Sequence, residues 1–402
     1  MHTGGPAQFA IEAPLTFMAV EQDEMKICIV GLDDYPQLAN LKDATYVGGE
    51  SVQHVLLARA WRDLGHEVSM IVHDHGQGRV TTIDGIRAVA PYARHDGIPV
   101  LRFAHPRLTG MIAALREVDA DVYYQSPAGA PTGITAWFCR RHDKRFIARI
   151  ASDLACIPGK QLIRFWRDRK IYEYGLRHAD LIVAQSEQQR LLLQQNYGLK
   201  SEVLDMVVEM PSGPQPDKDI DVLWVANFRP VKRPEVVLDV ARRLPDVRFT
   251  MAGGSLPGAD DYYRTMREAA TQLPNVTCPG AVPYADVGTM FSRAKLFLNT
   301  SQIEGFPNTF LQAWVRGVPV VTFFDPDSLV KQRQLGRTAS DVDDMVNAIQ
   351  ALLNDDAERQ LAGERSRAYA VAQFSGARIA TRYLEMLAAR DESQVLRYGT
   401  SG

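Results

Sequence analysis

Short apolar runs alternate with stretches of helical period along most of the chain. In the first half the apolar runs fall at 26–31, 67–72, 121–125, 145–150 and 180–185. Helical patterns fall at 50–64, 107–117, 131–142, 161–178 and 187–197. Gly65-His66 closes the first of these helices as a C-terminal glycine stop does. Pro211-Ser212-Gly213-Pro214-Gln215-Pro216-Asp217 then interrupts the pattern as a linker. Beyond it strands are expected near 221–226, 247–252, 295–299 and 318–323, with helices near 233–244, 260–272, 308–316 and 341–353. One more amphipathic helix is expected from Phe374 to Leu387. Alternation of this kind predicts an α/β protein of two doubly wound, Rossmann-like domains joined by a hinge. Its ligands would bind in the cleft facing the carboxyl ends of the strands.

Composition narrows the class. A chain of 402 residues is too long for one ordinary core. Hydrophobic content of 46% and charged content of 23% are those of a globular protein, and no apolar run is long enough for a transmembrane helix. The net charge of -3 argues against a nucleic-acid binder. Residues 1–24 lack the features of a signal peptide and are expected to be a flexible extension ahead of the strand beginning at Lys26. Cys28, Cys139, Cys156 and Cys278 have no paired spacing. They suit free thiols in a reducing cytoplasm rather than a disulfide framework or a zinc site.

The chemistry concentrates in Ser301-Gln302-Ile303-Glu304-Gly305-Phe306-Pro307-Asn308-Thr309-Phe310-Leu311-Gln312-Ala313-Trp314, which follows the strand-like run Lys295 to Asn299. Gly305 frees the backbone to approach a ligand, Pro307 suits a first helical turn, and Asn308 or Thr309 offers capping oxygens. A strand, a glycine turn and a helix N-terminus together present bare N–H groups to a phosphate. A carboxylate at Glu304, just ahead of that anion site, suits hydroxyl groups better than phosphate. A hydroxyl-rich ligand carrying a diphosphate, such as a nucleotide sugar, fits both. In Val225-Ala226-Asn227-Phe228-Arg229-Pro230-Val231-Lys232-Arg233-Pro234, Arg229 and Lys232 project from a strand-to-helix loop. Taken alone they are a solvated basic loop; beside the Glu304 segment they suit a diphosphate leaving group.

These two segments resemble family 4 glycosyltransferases of the GT-B fold. Gly48-Gly49-Glu50-Ser51 before a helix ending Leu64-Gly65-His66-Glu67-Val68 also matches, as do Phe249-Thr250-Met251-Ala252-Gly253-Gly254 and Asn275-Val276-Thr277-Cys278-Pro279-Gly280-Ala281-Val282-Pro283. The resemblance covers about residues 25–390 and is strongest over 221–323. It implies retaining transfer of a sugar from a nucleotide-sugar donor to an acceptor hydroxyl on a glycan, a lipid-linked saccharide or a small molecule. No metal and no cofactor are implied. Lys232 and Arg229 would hold the donor phosphates, and Glu304 the sugar hydroxyls. The N–H groups from Gly305 and Phe306 through Pro307 to Asn308 and Thr309 would line the phosphates, with Gly253 and Val282 in the same donor domain. Gly48 and Gly49 would approach the diphosphate from across the cleft; a plain loop glycine pair is the alternative. The family usually has a second Glu where this chain has Gln312, whose amide oxygen can still accept a ribose O–H. It often has arginine where this chain has Asn227.

The resemblance implies an acceptor-binding domain at 25–210, a linker at 211–220, a donor-binding domain at 221–373 and a C-terminal helix at 374–402 that crosses back. Asp153, closing the strand Ala148-Arg149-Ile150-Ala151-Ser152, is a candidate beside the reacting carbon and equally a turn cap. Asp325-Pro326-Asp327 and Asp341-Val342-Asp343 are capping residues rather than metal ligands. Gln161 to His178, with Arg164, Arg167, Arg169, Lys170 and Arg177, is either a solvated helix or a peripheral membrane contact for an anionic, lipid-linked acceptor. The rival functions are a nucleotide-sugar epimerase, a sugar phosphorylase, or a catalytically silent binding partner on the same fold.

Overall fold

The computed structural model describes residues 24–41, 49–98, 101–211, 214, 216–255, 260–302 and 306–398. The first sheet is built from β1 (Lys26–Val30), β2 (Glu67–Ile71), β3 (Val80–Ile83), β4 (Ile86–Val89), β5 (Val122–Gln125), β6 (Arg145–Arg149), β7 (Leu181–Ala184) and β8 (Glu202–Val203), in the spatial order β3-β4-β2-β1-β5-β6-β7-β8. Every pairing in it is parallel except the β3–β4 hairpin. The second is all parallel: β9 (Ile220–Val225), β10 (Phe249–Ala252), β11 (Val276–Gly280), β12 (Ala294–Asn299), β13 (Val320–Thr322) and β14 (Gly336–Thr338), ordered β11-β10-β9-β12-β13-β14. Strand order reverses between β1 and β5 in one sheet and between β9 and β12 in the other. Those two switch points are where an open α/β sheet leaves a crevice at its carboxyl edge.

Helices cover both faces of each sheet. The first domain carries α1 (Tyr35–Leu38), α2 (Gly49–Asp63), α3 (Thr109–Val118), α4 (Ala130–His142), α5 (Trp166–Arg177) and α6 (Glu187–Tyr197). The second carries α7 (Pro234–Arg243), α8 (Asp260–Thr271), α9 (Tyr284–Arg293), α10 (Asn308–Val315), α11 (Leu329–Arg333), α12 (Val342–Asn354) and α13 (Asp356–Phe374), and the chain closes with α14 (Gly376–Tyr398). Local chemistry sets several ends. Asn275 donates to the carbonyls of Ala241, Leu244 and Val247 at 2.9–3.0 Å, closing the C-terminus of α7. Asp341 accepts from Asp344 N and caps α12, and the Asp325 carboxylate takes the N–H groups of Val330 and Lys331 in α11.

Several elements depart from the sequence expectation for identifiable reasons. The strand pair β3–β4 turns on Asp84-Gly85, both at positive φ, a two-residue hairpin signal present in the sequence. Edge strand β11 contains Pro279 and is half exposed, so it lacks a continuous apolar run. Helix α13 buries Ala362, Gly363, Ser366 and Ala370, a face of small residues that gives no apolar stripe; a Cβ on Gly363 would lie 2.4 Å from the Gly317 carbonyl. Helix α5 begins at Trp166 rather than near 161, because Gln161 is buried and donates to the Tyr197 hydroxyl at 2.8 Å, holding its segment outside the helix. The last helix starts at Gly376 and runs to Tyr398, past Leu387.

Two stretches of chain join the domains. Leu204 and Val207 enter the core of the first domain while Met206 and Val208 enter that of the second, so the crossover begins ahead of the proline-rich segment. At the second crossing α14 returns to pack on α2: Ile379, Ala380, Tyr383, Leu384 and Leu387 share a core with Val55, Ala58 and Trp61. Trp61 Nε1 donates to the Ala380 carbonyl at 3.1 Å, and Val208 N donates to Phe374 O at 2.9 Å where the crossings meet. Trp61 is fully buried. Trp61→Ala is therefore expected to cost about 3–5 kcal/mol in urea unfolding. The same variant should speed hydrogen exchange in α14 more than in β9 or β12; equal effects on all three would show that Trp61 does not anchor the returning helix.

Candidate functional site

The two switch points face each other across the cleft, and two helix N-termini meet there. Helix α2 follows β1 and helix α10 follows β12, so both begin at a carboxyl edge. Asn308, the first residue of α10, places its Oδ1 3.1 Å from Gln53 Nε2 and its Nδ2 3.4 Å from the Gly49 carbonyl. A Cβ on Gly49 would lie 2.7 Å from that same Nδ2, so a side chain there would displace the Asn308 amide. Gln53 in turn exchanges two hydrogen bonds with the backbone of Val207, at 2.9 and 2.8 Å. The N-termini of two helices thus converge from opposite domains, an arrangement that favours an anion.

The second domain adds cationic and close-packed backbone elements to this edge. Arg229 is exposed and opens the 3-10 turn Pro230–Lys232; Lys232 is half-buried. The Thr300 hydroxyl, at the end of β12, donates to the Lys232 carbonyl at 2.6 Å and accepts from Trp224 Nε1 at 3.0 Å, fastening that turn to the switch point. Gly253 is required sterically, since a Cβ would stand 1.8 Å from the Ala226 carbonyl oxygen. Val282 is half-buried behind β11 and packs into the α9–α10 core. Phe306 sits against Trp314 and Phe374, Pro307 is buried, and Asn308, Thr309 and Gln312 are half-buried on α10. Gly48, Glu304 and Gly305 lie outside the described residues.

Across the cleft the sequence had not singled out a buried charge network beneath the start of α2. His54 Nδ1 lies 2.6 Å from Asp34 Oδ2, and His54 Nε2 lies 3.5 Å from Glu50 Oε1 one turn earlier. Arg149 at the end of β6 brings Nη1 within 4.0 Å of the same Glu50 oxygen. Burial alone would push the His54 imidazole down, but the Asp34 and Glu50 carboxylates outweigh it and raise it to about 10. Burial would likewise raise Glu50, yet its hydrogen bond with His54 and the Arg149 charge hold it at about 2. Two anions and two cations therefore cancel. Tyr124 packs edge-on against His54 and against Tyr383 of α14, tying the network to the returning helix. The i, i+4 spacing of Glu50 and His54 was the one local signal of it.

Other polar groups line the same edge. Asp33 accepts from His73 at 3.3 Å and lies 3.8 Å from Arg94; the His73 hydrogen bond holds the Asp33 carboxyl below its ordinary value. Arg149 Nε and Nη2 and Gln125 Oε1 are buried without hydrogen-bond partners among the described residues. Asp153 is half-buried, opens a 3-10 turn after β6 and accepts from Gln189 Nε2 of α6 at 3.0 Å. Among the described residues no group of three or more His, Cys, Asp and Glu side chains is placed to hold a metal ion.

Comparison with known proteins fits this geometry. Residues 208–369 match the family described as glycosyl transferases group 1, and residues 48–208 match the glycosyl transferase 4-like domain. A D-inositol 3-phosphate glycosyltransferase of Mycolicibacterium paratuberculosis is 32% identical over 168 residues, covering 40% of this chain and 37% of that protein. One from Mycobacterium tuberculosis is 33% identical over 104 residues, covering 25% of this chain and 22% of that protein. The chain thus aligns with between a fifth and little more than a third of the length of these curated relatives. Sucrose-phosphate synthase from Thermosynechococcus elongatus superposes with a TM-score of 0.70 at 17% identity, over 91% of this chain and 100% of that one. The Anabaena protein HepE, solved with UDP and glucose, does so at 0.69 and 16% identity with the same coverage. Two family matches that abut at the crossover, and two facing sheets with GT-B neighbours, place this chain among the family 4-type glycosyltransferases of the GT-B fold.

Proposed function

We propose that the protein moves a sugar from a nucleotide-diphosphate donor to an acceptor hydroxyl, with retention at the anomeric carbon and without a metal ion. The observation that carries this reading is the meeting of α2 and α10 at Asn308, Gly49 and Gln53, which aims two helix N-termini at one point beside the Lys232 turn. Each helix end carries roughly half a positive charge. Together with Lys232 and Arg229 they would stabilise the charge that builds on the departing diphosphate. Glu304, between β12 and α10 in sequence, would orient the donor sugar, and Gln312 on α10 would take the ribose hydroxyls. The acceptor oxygen attacks the anomeric carbon on the face that the diphosphate leaves, and a phosphate oxygen takes the acceptor proton. The unpartnered Arg149 and Gln125 atoms and the Asp33–His73 pair suit an acceptor rich in hydroxyl groups. HepE binds UDP and glucose, which supports a nucleotide sugar here. Four cysteines outside any disulfide suit a reducing compartment.

Neutrality of the Asp34–His54–Glu50–Arg149 network has a role in this scheme. Either carboxylate left uncompensated would place net negative charge behind the α2 N-terminus and repel the diphosphate. Protonated His54 prevents that.

Incubation with a panel of nucleotide sugars, read by mass spectrometry for donor consumption, tests the assignment. Glu304→Ala should lower turnover by roughly 30- to 1000-fold, equivalent to about 2–4 kcal/mol in the transition state; near-wild-type turnover would sink the assignment of Glu304. Lys232→Ala should weaken nucleoside diphosphate binding about tenfold or more, measured by calorimetry, since a hydrogen bond to a charged group contributes about 1.5–3 kcal/mol. Unchanged affinity would remove Lys232 from the phosphate site. For His54 the folded-state value lies above the ordinary 6.5, so its stabilisation is complete below 6.5 and is lost as pH rises toward about 10. Urea unfolding at pH 6 and at pH 9.5 should show the wild type losing stability with pH and His54→Gln, weaker at pH 6, losing less. Parallel pH profiles for the two proteins would show that His54 is not protonated in the fold.

A further inference from the structure

The face of the first domain formed by α4 and α5 carries chemistry that sugar transfer does not use. These helices cross in near backbone contact: a Cβ on Gly133 would lie 2.0 Å from the Ile171 carbonyl oxygen, and one on Gly175 would lie 2.7 Å from the backbone of Thr132. Between α4, α5 and the turn Phe103–Leu108 runs an apolar groove of about 450 Å³, lined by Phe103, Leu108, Ile134, Trp137, Trp166 and Tyr174. Of its lining, Trp166 is 77% and Trp137 44% exposed; Leu162, 83% exposed, and Phe165, 49% exposed, stand in the segment that leads into α5. Apolar side chains this exposed and gathered in one short segment mark an interaction surface.

The charge around the groove names the partner. Residues 160–178 hold six cations, Lys160, Arg164, Arg167, Arg169, Lys170 and Arg177, against Asp168 and Glu173, in a chain whose net charge is -3. Arg167 stands 3.4 Å above the Phe103 ring and Arg164 5.3 Å from the Phe165 ring, so cations and apolar rings share one surface. Trp and Leu tips interleaved with Arg and Lys match the boundary between acyl chains and anionic headgroups. We propose that this face docks the protein on an anionic phospholipid bilayer, with Leu162, Phe165 and Trp166 entering the acyl boundary and Lys160, Arg164 and Lys170 meeting headgroup phosphates. No helix among the described residues is long and apolar enough to cross a membrane, so the contact is a surface one. The inference stands apart from the transfer reading, because its test measures binding alone.

Flotation of the full chain with phosphatidylcholine vesicles, with and without about 30% phosphatidylglycerol, tests it. The wild type should float with the anionic vesicles and stay behind with neutral ones. Trp166→Ala and Leu162→Ala should each lower the bound fraction about tenfold, the loss of one buried apolar side chain. Lys160→Glu with Arg164→Glu should abolish flotation, and all three variants, altered only at exposed positions, should keep the wild-type melting temperature. Absence of the wild type from anionic vesicles, or flotation that these substitutions leave unchanged, overturns the proposal. So does a dimer in light scattering that Trp166→Ala dissolves, since a second copy of the chain would then be the occupant of the groove.

Discussion

The Gln53 amide is the joint on which the cleft depends. It belongs to a helix of the first domain, yet it hydrogen-bonds the crossover backbone at Val207 in both directions and reaches Asn308 of the second domain. Each such bond contributes about 1 kcal/mol net, enough to set a geometry and little enough to release it. Behind the joint the contact is of a different kind. Helix α14 buries a full apolar face against α2, with Trp61, Tyr124 and Tyr383 packed edge to edge. Area burial of this sort holds the rear of the cleft fixed while amide bonds hold the front. The bond from Val208 N to Phe374 O lies where both chain crossings meet.

Electrostatics imposes the second constraint. In the proposed reaction a chain with more acidic than basic residues would have to receive a diphosphate. Two backbone dipoles and the Lys232 turn supply positive potential where it is needed, without long exposed side chains to be ordered. The first domain compensates its own carboxylates locally: Asp34 and Glu50 are answered by His54 and Arg149 inside the protein, so the α2 N-terminus faces the cleft without an opposing charge. A separate group of cations gathers on the α4–α5 face around an apolar groove.

Much of the architecture could be read directly from the chain. The continuous apolar runs of β1, β5, β6, β7, β9 and β12 announced buried parallel strands, because burial on both faces leaves no room for polar residues. Elements with less burial escaped: β11 and β14 lie at an edge, and α13 packs through glycine, alanine and serine rather than through an apolar stripe. Gln161 shows the opposite failure, in which helical periodicity was overridden by one buried side-chain bond to Tyr197.

For the site, sequence alone pointed to the loops expected to carry chemistry, since glycine, proline and charge at a strand-to-helix junction are local signals. It placed Asn308 and Gly49 in the site but not against each other. It assigned no role to Gln53, to the pairing of His54 with Asp34, or to Arg149 beside Glu50. Gly49 and Asn308, which meet in the structure, are separated by 259 positions along the chain. Local periodicity records only whether a side chain is buried. Which groups then meet, and which ionise as a result, follows from how two sheets and a returning helix pack, and only the tertiary structure decides that.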